Sequence, residues 1–256
     1  MRVPLPSAFL THPLAHRALH DVRQGRPENS RTAVQAAVAA GYGIEIDVQL
    51  SADDQAMVFH DDNLDRLTGK IGRLRKRASG VLSRIALIGG SEGIPTLPEI
   101  LSMIAGRVPL LIEIKDQHGQ MGDTDGLLET SVATALQGYD GPVAVMSFNP
   151  HSVAHMAHLA PHIPRGLTTD AFDAADWSPL PPDVCDHLRA IPDYDRVQAS
   201  FLSHDWHDLA RPRVADLVRQ GAALLCWTVK SAADEARARK IAHNITFERY
   251  LAPFPA

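Results

Sequence analysis

The stretch GIEIDVQLSADDQAMVFHDD, Gly43 to Asp62, sets Glu45 and Asp47 two residues apart and closes on His60. Carboxylates at i and i+2 of an extended chain point to the same side. A second apolar run, Leu110 to Asp116, repeats the device: Glu113 and Lys115 alternate with Ile112 and Ile114. Near the N-terminus a short apolar run ends in His16-Arg17. Three converging carboxylates repel one another. A hard divalent ion with oxygen ligands, Mg²⁺ or Ca²⁺, resolves that repulsion. Lys115 adds a fixed positive charge, and Arg17 offers the planar fork that fits a phosphate-type anion. His16 and His60 are groups that titrate near neutral pH. An acidic metal site flanked by two cations and two imidazoles suits phosphodiester cleavage, with charge stabilised by metal, Arg and Lys and protons carried by the histidines. The plain alternative for each stretch by itself is a solvated polar face.

The elements that would carry these residues follow from periodicity. Ile44 to Leu50 alternates apolar and polar residues with period two, as a strand does. Further strands are predicted at 12–16, 58–60, 110–114, 143–147, 165–168, 197–201, 223–229 and 245–247. Helical patterns lie between most of them, at 30–40, 98–105, 126–136, 150–159, 211–220 and 232–242, with Asn29 or Ser30 as the first N-cap. Strand–helix alternation points to an α/β fold with a parallel sheet. A (β/α)8 barrel needs eight strands, so one of the nine runs is surplus. The run 57–60 follows its predecessor after a tight turn with no crossover helix, which a parallel neighbour requires. It therefore reads as the return arm of a hairpin, unless one of the other runs is not a strand. A turn centred between Ala52 and Asp53 would set Glu45 opposite His60 and Asp47 opposite Val58, on one face.

Composition excludes several classes. The net charge is -5, whereas a general nucleic-acid binder carries a basic footprint. Cys185 and Cys226 form neither a CxxC motif nor a disulfide framework, so a reducing cytoplasm is expected. The N-terminal residues, broken by Pro4, Pro6 and Pro13, lack a signal-peptide core and a membrane span. Two segments depart from the average charge. Residues 62–95 carry seven Lys/Arg against three acids, and residues 170–195 carry seven Asp against one Arg. Both read as long surface segments able to wall a pocket. The basic one looks like an insertion, and Arg66, Lys70, Arg73, Arg75, Lys76 and Arg77 are expected to steer an anionic substrate. A contact between copies of the chain is the rival role for it.

The stretches AHRA (15–18), PENS (27–30), GIEIDVQLSADDQAMVFHDDNLDRLTG (43–69), IPTLPEIL (94–101), LIEIKD (111–116), SFNP (147–150) and CWTVKS (226–231) together resemble the glycerophosphodiester phosphodiesterase family, in its order and across nearly the whole chain. The resemblance implies a distorted (β/α)8 TIM barrel over residues 1–256, with a small insertion, 62–95, after the second strand region. It implies hydrolysis of glycerophosphodiesters to glycerol 3-phosphate and an alcohol. One divalent ion, Mg²⁺ or Ca²⁺, would be held by Glu45, Asp47 and Glu113, with His16 and His60 as the acid/base pair. Arg17, Lys115, Phe148 and Trp227 would contact substrate. The expected partner is thus a small glycerophosphodiester, without nucleic acid or stable membrane insertion, and a homo-oligomer is compatible with the basic insertion. Two departures stand out. Ala18 replaces the family's usual glycine after His-Arg. Ile245-Thr246-Phe247-Glu248 lacks the aspartate of the family's Ile-Thr-Asp stretch unless Glu248 substitutes for it.

Other readings of the same barrel are phospholipase D-like cleavage of a lysolipid, cyclic-phosphate formation, and a non-catalytic ligand-binding protein. His151, His155, His158 and His162 make a helical stripe that reads as a solvated face, since Pro161 breaks the helix before the last of them. Asp61 is placed either to orient His60 or to cap the segment that follows, and the His204-Asp205-Trp206-His207 run is assigned no catalytic part.

Overall fold

The computed structural model describes residues 2–255. Its strands are β1 (Leu14–Ala15), β2 (Gly43–Leu50), β3 (Ala56–Val58), β4 (Leu110–Ile114), β5 (Val143–Ser147), β6 (Arg165–Thr169), β7 (Phe201–Asp205), β8 (Ala223–Val229) and β9 (Asn244–Phe247). All except β3 pair in parallel, and β1 bonds both β2 and β9, which closes an eight-stranded barrel. The surplus strand is β3, the antiparallel return arm of a hairpin on β2. Helices cover the outside: Arg31–Ala40, Leu97–Ile104, Leu127–Ala135, Pro150–Leu159, Pro182–Ala190, Pro212–Arg219 and Ala232–Ala238. Local capping chemistry starts several of them. The Ser30 hydroxyl accepts from Ala33 N–H, Thr96 and Glu99 form a capping box, and Asn149 accepts from His151 N–H.

Side-chain alternation divides the molecule into two cores. Ile44, Ile46, Val48, Ile112, Ile114 and Val145 face outward and are fully covered by the helices. The inward face changes character along the strands. At the bottom Leu14, Leu111, Ala144, Phe201 and Leu225 pack around Phe9, which is fully buried and plugs the barrel. Gly166 leaves room there, because a Cβ at this position would lie 2.3 Å from the Phe201 ring. One step toward the C-terminal ends, the inward positions become polar: Asp47 is in register with Glu113. Barrel enzymes keep their chemistry at that end. Phe9→Ala should therefore cost about 3–5 kcal/mol of stability by opening a cavity under the site. Urea denaturation measures the loss, while the residual folded protein should keep its turnover.

Three sequence expectations are corrected. The sixth barrel strand, β7, is Phe201–Asp205, not 197–201. Val197 lies instead in a buried turn after the 3-10 segment Pro192–Tyr194, and the true strand hides behind the polar residues Ser203, His204 and Asp205. The hairpin register is one residue off, because the loop spans five residues. Ser51 N–H bonds Gln55 O, and the Ser51 hydroxyl accepts from Gln55 N–H, so Val48 pairs with Val58 and Leu50 with Ala56. Glu45 is thus not opposite His60. Finally, the first strand is only two residues long.

Residues 62–95 are more than a charged loop. The short helices Asp65–Thr68 and Ser79–Leu82 enclose a separate apolar cluster of Met57, Phe59, Leu64, Leu74, Leu82, Ile85, Leu87 and Ile94. Glu92 ties the segment to the barrel by accepting backbone N–H from Arg31 and Thr32 at 2.8 and 3.0 Å, at a helix N-terminus where negative charge is favoured. Residues 170–195 hold the helix Pro182–Ala190 and pack Phe172, Leu180, Cys185 and Leu188 together.

Candidate active site

A cavity of about 380 Å³ opens at the C-terminal ends of the strands. Its walls include His16, Arg17, Glu45, Asp47, His60, Glu113, Lys115, Phe148 and Trp227, the positions to which the family resemblance gives metal, acid/base or substrate contacts. The carboxylates of Glu45, Asp47 and Glu113 offer oxygens that all lie within 4.8 Å of one another. Lys115 Nζ bridges two of them, at 2.9 Å from Asp47 Oδ1 and 2.6 Å from Glu113 Oε1. Asn29 donates to Asp47 Oδ2 at 2.9 Å, and Arg17 N–H donates to Glu45 Oε2 at 2.8 Å.

Electrostatics show what this cluster lacks. Burial, then repulsion from Asp47 and Glu113, pushes the Glu45 carboxyl well above the ordinary range. Burial opposes ionisation of Asp47 too, but Lys115, His60 and Arg17 overcome it and hold that carboxyl far below normal. Burial works against the charge of Lys115 as well, yet Asp47 and Glu113 keep the ammonium strongly favoured. The cations present satisfy Asp47 and leave Glu45 under strain. An all-oxygen donor set with unmet negative charge fits a hard divalent ion.

The two histidines are held by carboxylates. His16 Nδ1 lies 2.8 Å from Glu248 Oε2, and His60 Nδ1 lies 2.7 Å from Asp61 Oδ1. Glu248 and Asp61 are both kept ionised: burial resists this, but the hydrogen bonds from His16 and from His60 respectively, among other partners, outweigh it. A carboxylate can only accept, so each imidazole carries its proton on Nδ1 and, when neutral, a lone pair on Nε2. Burial lowers the pKa of His16 despite the Glu248 contact.

His60 reaches the cavity although the hairpin register would turn it away. The ladder ends at Val58. Phe59 N–H still donates to Asp47 O, its ring enters the cluster of the insertion, and Gln49 Nε2 clamps the His60 carbonyl at 3.0 Å. Departure from the sheet, not strand alternation, aims this imidazole.

Several wall residues had no assigned part in the sequence reading. Glu28 accepts from Arg17 at 2.7 Å and from the Arg66 guanidinium at 2.9 Å on both oxygens. Arg66 also forks onto Asp61, at 2.7 Å to each oxygen. Ion pairs thus run from Arg17 through Glu28, Arg66 and Asp61 to His60. Of the six basic residues expected to steer substrate, Arg66 alone lines the cavity. Arg75 instead bonds the Ser51 carbonyl and pairs with Asp54 at 3.0 Å, and Arg77 donates to the Ile71 carbonyl at 3.1 Å. Glu248 stands beside the position of the family's missing aspartate, and Lys230 and Arg249 each approach its Oε1 at 3.3 Å. His20 is the third histidine of the wall. The PENS motif was the one available signal for Glu28 and Asn29.

The backbone around Arg17 bears on the departure at Ala18. Arg17 and Ala18 have φ of 52° and 65°, the left-handed region where glycine is at ease. Ala18 bears a strain of roughly 1–2 kcal/mol there. The turn is held by Ala18 N–H to Glu45 O at 3.0 Å and by Asn29 N–H to Arg17 O at 2.9 Å.

Trp227 Nε1 donates to the Ser203 carbonyl at 3.0 Å, and Phe148 meets the Trp227 ring edge-on at 5.5 Å. They form an apolar wall opposite the charged one. His204 is fully buried, bonded to Thr169 and near Asp208, and does not line the cavity. The helix stripe belongs to Pro150–Leu159, where His151 pairs with exposed Asp123 at 2.7 Å.

Residues 16–244 match the family model described as Glycerophosphoryl diester phosphodiesterase family. A glycerophosphodiester phosphodiesterase of Caldanaerobacter subterraneus subsp. tengcongensis is 28% identical over 222 residues, spanning 82% of this chain and 84% of that one. One from Bacillus altitudinis is 29% identical over 193 residues, 72% of this chain and 73% of its own. A phosphodiesterase of Oleispira antarctica, solved with the product sn-glycerol-3-phosphate, superposes at a TM-score of 0.74 with 25% identity over 94% of each chain. With the closed parallel barrel and a matched segment that runs from His16 through β9's first residue, the chain belongs to the glycerophosphoryl diester phosphodiesterase family.

Proposed function

We propose that the enzyme hydrolyses glycerophosphodiesters to glycerol 3-phosphate and an alcohol in this cavity, with one Mg²⁺ or Ca²⁺ ion and two histidines. The observation that carries the reading is the convergence of Glu45, Asp47 and Glu113 beside two imidazoles whose Nδ1 protons are fixed by carboxylates. Glu45, Asp47 and Glu113 would hold the ion. When bound, such an ion supplies positive charge to the phosphoryl oxygens as a Lewis acid.

The chain's own residues supply the rest. Arg17 and Lys115 balance the phosphoryl charge from the protein side. His16, neutral at physiological pH because burial lowers its pKa, accepts the proton of the attacking oxygen at Nε2. His60 delivers a proton from Nε2 to the departing alkoxide. Glu248 and Asp61 orient these rings. Phe148 and Trp227 flank the carbon skeleton and exclude water.

The test is a panel of glycerophosphodiesters assayed for released glycerol 3-phosphate, with and without chelator. Release that depends on the ion supports the reading. Cleavage of lysolipids in preference, or a cyclic phosphate as the final product, would replace it with the phospholipase D-like one. No helix among the described residues is long and apolar enough to cross a membrane. Cys185 and Cys226 are free and buried, the state a reducing compartment preserves, and we place the enzyme in the cytoplasm.

Steering by the insertion narrows to Arg66. Arg66→Ala should lower kcat/KM and reduce its salt dependence, because it removes a cavity cation and unties Asp61 from Glu28. Neutralising the exposed Arg73 and Lys76 together should leave kcat/KM within about twofold at physiological ionic strength, where the Debye length is about 8 Å. A large loss in that double variant would return the steering role to the outer cations.

A further inference from the structure

His16, His20 and Glu248 bring three donor atoms within 4.8 Å of one another, in the same cavity but apart from the carboxylate cluster. Glu248 Oε2 lies between the two rings, 2.8 Å from His16 Nδ1 and 3.6 Å from His20 Nε2. The latter nitrogen is buried and has no hydrogen-bond partner among the described residues. An unmet buried polar atom is costly and marks a place for an absent partner. The left-handed turn at Arg17 and Ala18 creates the juxtaposition, folding residue 20 back toward residue 16.

We propose that these three residues form a second metal-ion site, specific for a borderline transition ion such as Zn²⁺, and that its occupation switches the enzyme off. Two imidazoles and one carboxylate are a zinc donor set, whereas Glu45, Asp47 and Glu113 are an oxygen set for a hard ion. Zinc bonds of about 2.0–2.2 Å place tetrahedral donors roughly 3.3–3.5 Å apart, so the present spacing needs only small side-chain shifts. Lys230 and Arg249 occupy Oε1 of Glu248 and leave Oε2 for the ion. The cavity supplies the open fourth position.

Binding takes Nδ1 of the neutral His16 ring, so its single hydrogen shifts by way of solvent from Nδ1 to Nε2 with no net proton release. The ring then carries metal on Nδ1 and hydrogen on Nε2, with no lone pair left to accept a proton. Inhibition in this form rests on the proposed role of His16. Metal binding itself does not.

The test uses the Mg²⁺-loaded enzyme and its His20→Ala variant. Co²⁺ replaces Zn²⁺ as a visible probe, since a tetrahedral site with nitrogen ligands absorbs far more strongly than an octahedral oxygen site. The parent should develop the strong band and His20→Ala should not. In parallel, Zn²⁺ should inhibit hydrolysis in the parent, and His20→Ala, measured relative to its own zinc-free turnover, should raise the half-inhibiting Zn²⁺ concentration at least about tenfold. Equal inhibition of both proteins, relieved by excess Mg²⁺, would assign the effect to the carboxylate cluster and overturn the proposal. Absence of the Co²⁺ band in the parent would overturn it as well, whether or not the protein hydrolyses glycerophosphodiesters.

Discussion

Chelation is expected to abolish hydrolysis, and Mg²⁺ or Ca²⁺ to restore it. Removing the ion leaves three carboxylates in one buried cluster with Lys115 and Arg17 as the nearest compensation. The phosphoryl group would then approach uncompensated negative charge at Glu45, the carboxylate that its neighbours and burial already press toward neutrality. The loss should reach about 10³-fold or more, since a Lewis-acid contact supplies several kcal/mol of transition-state stabilisation. Glu45→Gln separates this from a folding defect. The amide keeps the shape and can still accept the Arg17 N–H, while it removes one of three repelling charges. Its thermal stability without metal should match or exceed that of the parent, while calorimetry should show weakened Mg²⁺ binding. Full turnover in a rigorously metal-free preparation would remove the ion from the mechanism.

Removal of either imidazole comes next in size. His16→Ala or His60→Ala should each cost about 10²–10⁴ in kcat, with the fold intact. The pH profile carries the assignment. A free imidazole titrates near 6.5, and burial depresses His16 from there. As the base, His16 must be unprotonated, so the acidic limb of kcat/KM should fall below about 6.5. Glu248→Gln leaves a hydrogen-bond acceptor for His16 Nδ1 but removes the charge that favours the imidazolium. The same limb should therefore move further to acid, with a lower kcat and little change in KM. An unmoved limb in Glu248→Gln would show that Glu248 does not act through His16. Near-normal turnover in His60→Ala would strike His60 from the reaction.

The barrel and its chemical residues were written locally. Period-two alternation at Gly43–Leu50 and Leu110–Ile114 separates the isoleucines that meet helices from the acids that face inward. That alternation is a property of each extended chain and needs no knowledge of its neighbours. The same holds for the helices, whose caps lie within four residues, and for the surplus hairpin arm, revealed by the missing crossover. Where the sequence misled, the cause was nonlocal. Polar Ser203-His204-Asp205 reads as loop because nothing in the chain itself says that β6 and β8 will cover it. The hairpin slipped by one because Ser51 bonds across a five-residue loop that composition does not specify. Glu248 meets His16 across 232 residues only when β9 closes on β1. His60 faces the cavity only because Phe59 finds a second apolar core in the insertion. Residue types and their alternation thus determined which groups could do the chemistry. Ring closure and burial decided which of them share one dielectric environment, because charges interact through space and not along the chain.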